Sequence, residues 1–226
     1  MSSEIISNAK PVISNQSGPH EQIPHLVARH LAAPFRKPYP DFSLRAFEEA
    51  NNWLQQFNRP IIFDSYCGVG ESTVALAKLH PEASVIGLDK SLHRLNKHDE
   101  HYRASGVDNY YLLRADVDDF WRLAVDAQWQ LSHHYLLYPN PWPKSAHIKR
   151  RCHGSPLFSS LLALGGRIEL RSNWPLYVEE FAWALSLAGH PASAQAFVPD
   201  PVITPFERKY LAAQQTLYRC IYSLKR

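Results

Sequence analysis

Eight consecutive residues carry the first chemistry: Asp64-Ser65-Tyr66-Cys67-Gly68-Val69-Gly70-Glu71. Glycine lets a backbone approach a ligand and accepts positive φ, so a carboxylate followed by Gly68 and Gly70 suits a turn that cradles a cofactor. A dinucleotide site wants G-x-G-x-x-G. Here Gly70 is followed by Glu71-Ser72-Thr73, and the third glycine is missing. Glu71 also puts negative charge at the helix N-terminus where a pyrophosphate would sit. A cofactor without phosphates fits better. Asp89 lies nineteen residues after Gly70, at the end of a second apolar run, where a carboxylate can accept from both hydroxyls of a ribose. Asp116 follows a third run, where an adenine edge could be read. Each feature has a plainer reading alone, since Asp89 could simply cap a helix before Leu92. Their order and spacing favour one shared site.

A second constellation is Pro139-Asn140-Pro141-Trp142-Pro143-Lys144-Ser145-Ala146-His147-Ile148-Lys149-Arg150-Arg151. No acidic residue lies between Asp126 and Glu169, while Lys144, Lys149, Arg150, Arg151 and Arg167 all do. An acid-free basic stretch suits phosphate contacts. Trp142 offers a flat face for a base, and the prolines stiffen the loop. The plainer alternative is a solvated charged face. His147 belongs to the same stretch and either touches RNA or orders the loop.

These residues need elements to position them. Ile61–Phe63, Ser84–Leu88, Tyr110–Leu113 and Tyr135–Tyr138 read as strands, with helices over Thr73–Leu79 and Leu92–Tyr102 between them. Gly165-Gly166 separates a helix ending near Leu164 from a strand over Arg167–Leu170; a helix over Trp174–Leu187 and strands at Ala194–Phe197 and Leu217–Leu224 follow. Such alternation predicts an α/β fold with a mostly parallel sheet flanked by helices, and ligands bind at the carboxyl ends of its strands. Residues 1–40 read as an N-terminal tail with a short helix opened by Pro24, partly flexible, the first twenty or so being loose by composition. Phe47, Ala50, Trp53, Leu54 and Phe57 recur at helical spacing. Residues 41–226 form the main domain.

Composition excludes more than it assigns. The 226 residues are 45% hydrophobic and 20% charged with net charge +3, which suits one globular core and permits, without requiring, nucleic-acid binding. Cys67, Cys152 and Cys220 form no CxxC pair, arguing against a disulfide framework or a zinc site. No apolar run reaches the ~18 residues of a membrane span, and the first residues lack a signal-peptide pattern; cytoplasm is the expected location. His133 and His134 read as the polar edge of a strand, and Phe120, Trp121 and Trp129 as core.

Acid, Gly-x-Gly, ribose carboxylate and adenine-side Asp in this order resemble the motifs of Rossmann-like, class I methyltransferases dependent on S-adenosylmethionine. The loop's D-x-Y-C-G-x-G form also resembles uracil-5 RNA methyltransferases, but neither Cys152 nor Cys220 has the neighbouring proline of their nucleophile. The segment from Pro139 closely resembles the P-D-P-W-P-K…H…K-R-R motif of the bacterial tRNA (guanine-N7)-methyltransferase family. Thr204-Pro205-Phe206-Glu207 resembles that family's T-x-[FY]-E segment. The resemblance runs from about Ile61 to the C-terminus and implies a divergent member or paralogue with seven strands, the last pair antiparallel. It further implies S-adenosylmethionine as cofactor and tRNA as partner, without a membrane, in a monomer or small homo-oligomer. Asp64, Gly68, Gly70, Asp89 and Asp116 would hold the cofactor. Asn140, Lys144 and Glu207 would form the catalytic side. Trp142, His147, Lys149, Arg150, Arg151, Asn173 and Thr204 would bind the substrate.

Guanine N7 carries a free lone pair, so its methylation needs orientation rather than proton removal, and a carboxylate suits the N1–H and N2–H donors that orient the base. This sequence departs from the family there. The motif's Asp is Asn140, and the family's T-D pair is Ser172-Asn173. Glu207 is then the remaining carboxylate anchor. Asn140-Pro141-Trp142 also resembles, more weakly, the N-P-P-[YFW] loop of amino-group methyltransferases. Three readings stay open: guanine-N7 methylation, methylation of an exocyclic amine or small molecule, and a silent RNA-binding paralogue.

Overall fold

The computed structural model describes residues 9–33, 35–98 and 106–224. Two helices, α1 (Ile23–Ala32) and α2 (Asp41–Leu54), precede the alternating region. There β1 (Ile61–Ser65), α3 (Glu71–Leu79), β2 (Ser84–Asp89), α4 (Leu92–Leu95), β3 (Tyr110–Arg114), α5 (Val117–Asp126) and β4 (Leu131–Leu137) follow in turn. A 3₁₀ turn (Ser145–Arg150), α6 (Phe158–Leu164), β5 (Gly166–Ser172), α7 (Pro175–Leu187), β6 (Ala194–Phe197), α8 (Pro205–Ala212) and β7 (Leu217–Leu224) complete the chain. The strands form one seven-stranded sheet in the order β3-β2-β1-β4-β5-β7-β6. All neighbours are parallel except β7, which runs antiparallel between β5 and β6. The order reverses direction between β1 and β4, and a doubly wound sheet opens its ligand crevice at the carboxyl ends of such strands.

Helices cover both faces, so the central strands read as continuous apolar runs rather than alternating ones. Ile62, Phe63, Val85, Ile86, Leu136, Ile168 and Leu170 are fully buried. Phe120 and Trp121 of α5 are core, and Phe47 of α2 packs on Phe120 and Trp129 with ring centroids 5.4 and 4.7 Å apart. His134 is not an edge residue. It is fully buried, bonded through Nε2 to Ser65 Oγ at 3.0 Å, and burial lowers its pKa to about 3.

The main differences from the pattern-based expectation are local. The helix expected over Leu92–Tyr102 is a four-residue helix capped by Ser91, whose side chain accepts from Arg94 N; residues 99–105 lie outside the described residues. Strand four ends at Leu137, because Tyr138 turns the chain at φ 55°. The tail from residue 9 onward is docked: Gln215 Nε2 donates to Ala9 O at 2.8 Å, and Ser14 Oγ to Pro143 O at 2.6 Å. Its Ser, Asn and Gln side chains make contacts with the body that composition does not show. Ile23, Leu26 and Val27 of α1 are buried in the main core cluster. Residues 1–8 of the expected tail lie outside the described residues.

Gly87 of β2 shows how closely the cofactor half is packed. A Cβ there would lie 2.4 Å from both Leu112 Cδ2 and Thr73 Oγ1. Gly87→Ala is expected to cost about 1–3 kcal/mol by overpacking, which calorimetry would read as a fall in Tm of roughly 2–4 °C per kcal/mol; a parent-like Tm would contradict the packing.

Candidate cofactor and acceptor site

From Ser65 the chain turns through Tyr66 (φ 68°), Gly68 (φ 63°) and Gly70 (φ 80°), and Gly70 caps α3. Tyr66 holds a left-handed conformation without being glycine, and its ring packs edge-on to Trp121 at 6.2 Å. Asp89 braces this loop. Its Oδ2 accepts from Gly68 N at 3.0 Å, its Oδ1 from Ser91 N at 2.8 Å, and Arg94 Nη2 lies 3.0 Å from Oδ1. A role for Asp89 on a ribose therefore requires the half-exposed Arg94 side chain to swing aside. Asp116 caps α5 by accepting from Asp118 N, and pairs with Lys90 at 2.8 Å.

Asp64 lies fully buried behind this turn. Its Oδ2 accepts from Ser72 Oγ (2.6 Å) and Thr73 Oγ1 (2.7 Å), while Oδ1 has no hydrogen-bond partner. Burial raises its pKa to about 6 against the opposing pull of the two hydroxyls. Ser72 in turn lines a cavity of about 100 Å³ with Tyr66, Gly68, Arg94, Leu137 and Phe206. An orphaned buried carboxylate oxygen behind that wall is what a ligand's ammonium group would satisfy, so the residues fit the amino-acid end of S-adenosylmethionine. The cavity is smaller than the ~300–1,000 Å³ of ordinary ligand pockets, so Arg94 and the exposed Phe206 must shift to admit it. Arg208 of α8 makes a bidentate pair with Glu71 beside this mouth.

The Pro139–Arg151 loop begins two residues beyond Leu137, the last residue of β4 and itself a cavity wall. Asn140 is exposed, and its Oδ1 accepts from Trp142 N at 3.3 Å. Trp142 sits at φ 46°, with Arg150 over its ring at 4.6 Å and the His147 ring edge-on at 5.6 Å. Lys149 and Arg150 are exposed, as phosphate contacts require, and Lys144, expected on the catalytic side, is exposed as well.

Arg151 is placed otherwise. Its guanidinium is fully buried, ion-paired to Glu180 of α7, and donates from Nε and Nη2 to the Trp142 carbonyl at 3.2 and 3.0 Å. It cannot reach a phosphate; it holds the loop from beneath. Gln16 joins the cluster, accepting from Arg151 Nη2 at 2.6 Å and donating to Glu180 Oε1 at 2.9 Å. His153 Nε2 lies 3.0 Å from Glu180 Oε2. Burial pushes the Glu180 carboxyl up, but His153 and Arg151 outweigh it and hold its pKa at about 2. Burial lowers the pKa of His153.

Glu207 is also placed differently from the expectation. Thr204 and Glu207 form a capping box at the start of α8, Thr204 Oγ1 accepting from Glu207 N and Glu207 Oε2 from Thr204 N and Ile203 N. Its other oxygen accepts from Arg171 Nη1 at 2.7 Å and from Tyr138 OH at 3.3 Å. Fully buried with both oxygens engaged, it leaves no acceptor for a guanine. Thr204 does border the cavity. Asn173 is turned away, its Nδ2 donating to Gln215 Oε1 at 2.8 Å.

A family model described as "Putative methyltransferase" matches residues 58–220. The chain is 30% identical over 190 residues to the tRNA (guanine-N(7)-)-methyltransferase of Halorhodospira halophila, covering 74% of this chain and 75% of that one. With the protein of the same name from Geobacillus kaustophilus it shares 28% over 194 residues, covering 80% and 88%. The chain belongs to this methyltransferase family. Among solved structures, the 16S rRNA methyltransferase KamB superposes with TM-score 0.57 at 15% identity, over 84% of this chain and 96% of that one. A point mutant of the 16S rRNA (adenine(1408)-N(1))-methyltransferase from Catenulisporales acidiphilia, solved with S-adenosylmethionine, gives 0.54 at 16%, over 84% and 93%. Both share the class I methyltransferase fold.

Sequence reasoning about this methyltransferase missed Ser72, Thr73, Arg94, Gln16, His153, Arg171 and Glu180. Only Glu180 left a signal: it lies three residues after Tyr177 and four before Ala184, on the buried face of α7. Gln16 and Arg171 join their clusters from distant segments, which no spacing reveals.

Two outcomes follow from these buried groups. Glu180→Gln leaves the Arg151 charge unpaired inside the protein and is expected to cost about 3–5 kcal/mol, measured by denaturant unfolding; a change below about 1 kcal/mol would refute the clamp. Asp64, whose folded pKa is raised, stabilises the fold when protonated, and that contribution is lost as pH rises from 3.8 through about 6. A bound ammonium favours the ionised form, so calorimetric affinity for S-adenosylmethionine should rise between about pH 5 and 7.5. Asp64→Asn should bind more weakly and without that dependence. A flat profile in the parent removes Asp64 from the ammonium site.

Proposed function

We propose that this methyltransferase transfers the methyl group of S-adenosylmethionine to guanine N7 in tRNA. The observation that carries the reading is the placement of the Pro139–Arg151 loop at the carboxyl end of β4, directly after the cavity wall at Leu137. The relatives named above for tRNA guanine-N7 methylation support the substrate.

When bound, S-adenosylmethionine supplies an electrophilic methyl on a sulfonium. The chain's own residues have the simpler task of holding and orienting. Asp64 balances the ammonium, and Gly68 and Gly70 shape the turn beneath the cofactor. Guanine N7 needs no base, so no residue here has to remove a proton from it. Half-buried Trp142, stiffened by Pro141 and Pro143, offers the ring face not covered by Arg150. Lys149 and Arg150 receive phosphates, and Lys144 stands with Asn140 on the acceptor side. With Glu207 consumed by Arg171 and the α8 cap, orientation of the base falls to Asn140, whose amide matches guanine's two donors less well than a carboxylate.

Asn140 therefore gives the test. An aspartate there keeps one oxygen for Trp142 N and frees the other for guanine. Asn140→Asp is expected to raise kcat/KM for 7-methylguanosine formation by about 10-fold, the worth of one charge-assisted hydrogen bond of ~1.5 kcal/mol. The assay is labelled methyl transfer to bulk tRNA with nucleoside analysis. Labelled tRNA lacking 7-methylguanosine would refute the assignment, and an unchanged or lower rate would refute the role of Asn140. Label on an exocyclic amine would favour the N-P-P-like reading of Asn140-Pro141-Trp142.

A further inference from the structure

Beyond the loop, three adjoining hollows of about 470, 220 and 880 Å³ run along α1 and over the seam between α5 and α6. The first two share Arg29 and Lys149 as walls, and the last two share His30, Ala33 and Phe35, so they form one groove. It starts at Lys149, on the acceptor loop's own 3₁₀ turn, and ends at the segment joining α1 to α2. Five Lys and Arg side chains line it, namely Arg29, Arg36, Lys37, Arg122 and Lys149. Two of the lining residues are carboxylates, Glu21 and Asp126, and Asp126 already accepts from Tyr39 OH at 2.6 Å.

The far wall is pre-formed. Arg122, only 8% exposed, donates to the Lys37 carbonyl at 2.6 Å and lies over the rings of Tyr39 and Phe35 at 4.3 and 5.1 Å. This fixes residues 35–39 against α5. Lys37 and Arg122 also approach the buried Asp119 at 3.7 and 3.5 Å. Arg29 and Arg36 are exposed, and neither makes an ion pair among the described residues. A fixed wall spares a ligand the cost of ordering it.

We propose that this groove is a second RNA-binding surface, which holds the sugar-phosphate backbone of the substrate away from the methylated base. Its positive lining and its continuity with Lys149 match a polyanion that already touches the acceptor loop. Exposed Phe35 gives one aromatic surface on the path, suited to an unpaired base. The inference rests on RNA being the substrate. It extends the contact surface from the loop to Arg36 and gives α1 and its following segment a role in affinity rather than chemistry.

The test compares the full chain with Arg29→Gln/Arg36→Gln, and with Lys78→Gln as a control on α3, which forms no wall of the groove. Neither arginine touches the cofactor site, so calorimetric affinity for S-adenosylmethionine and Tm should match the parent. Bulk tRNA binding at about 0.15 M salt should weaken on the order of 10-fold or more. The slope of log affinity against log salt should fall by about 2, one for each lost phosphate contact. KM for tRNA should rise with kcat unchanged, and the Lys78 variant should behave as the parent. Equal tRNA affinity and slope in parent and double variant overturn the groove alone. A parent that binds no tRNA overturns both the groove and the functional reading. Loss of binding to phosphatidylserine vesicles, with RNA binding intact, overturns it in favour of a lipid surface.

Discussion

Removing a guanidinium and a carboxylate from water costs several kcal/mol for each ion, and only close pairing with further hydrogen bonds offsets it. Arg151 and Glu180 meet that condition at zero exposure. The pair is joined by Gln16 and His153 and by the Trp142 carbonyl. The consequence is that three distant segments, the N-terminal tail, the acceptor loop and α7, share one anchor. Removing either charge would leave the other buried without its ion-pair partner, so the loop's shape and the tail's position depend on the same interaction.

The two halves of the site arise from the carboxyl ends of the sheet's inner strands. β1 and β2 deliver the cofactor turn, and β4 delivers the acceptor loop. Three non-glycine residues with left-handed backbone stand at these exits: Tyr66, Tyr138 and Trp142. Such residues cost about 1–3 kcal/mol each and persist where the surroundings over-determine them. Here those surroundings are visible. Trp121 packs on Tyr66, Phe206 and Tyr210 pack on Tyr138, and Arg151 grips the Trp142 carbonyl.

The amides of Asn140 and Asn173 sit within this framework as links. Asn140 closes its own turn onto Trp142 N, and Asn173 joins Gln215, which holds the tail at Ala9. With Glu207 buried under Arg171, the acceptor side presents little negative charge. Its surface is basic from Lys144 to Arg150 and onward along α1. Positive charge is thereby spread over a large area, while carboxylates that could orient a single base are few.

The fold and the outline of the cofactor half were legible in the amino-acid sequence. Continuous apolar runs alternating with helical spacing follow from a sheet buried on both faces, and Gly68 and Gly70 stand where the backbone needs positive φ. The Pro139–Arg151 loop stood out too, because its prolines, tryptophan and basic residues lie within thirteen consecutive positions. What each side chain does was decided only by packing. A sequence shows that Arg150 and Arg151 are both basic, but neighbours in a turn point to opposite sides, so one meets solvent and the other Glu180. It shows a carboxylate at Glu207, but not Arg171, thirty-six residues away, which occupies it. Tail residues that read as loose by composition are ordered by partners more than a hundred positions distant. Local spacing encodes local geometry, whereas burial and pairing depend on contacts that exist only once the chain has closed on itself.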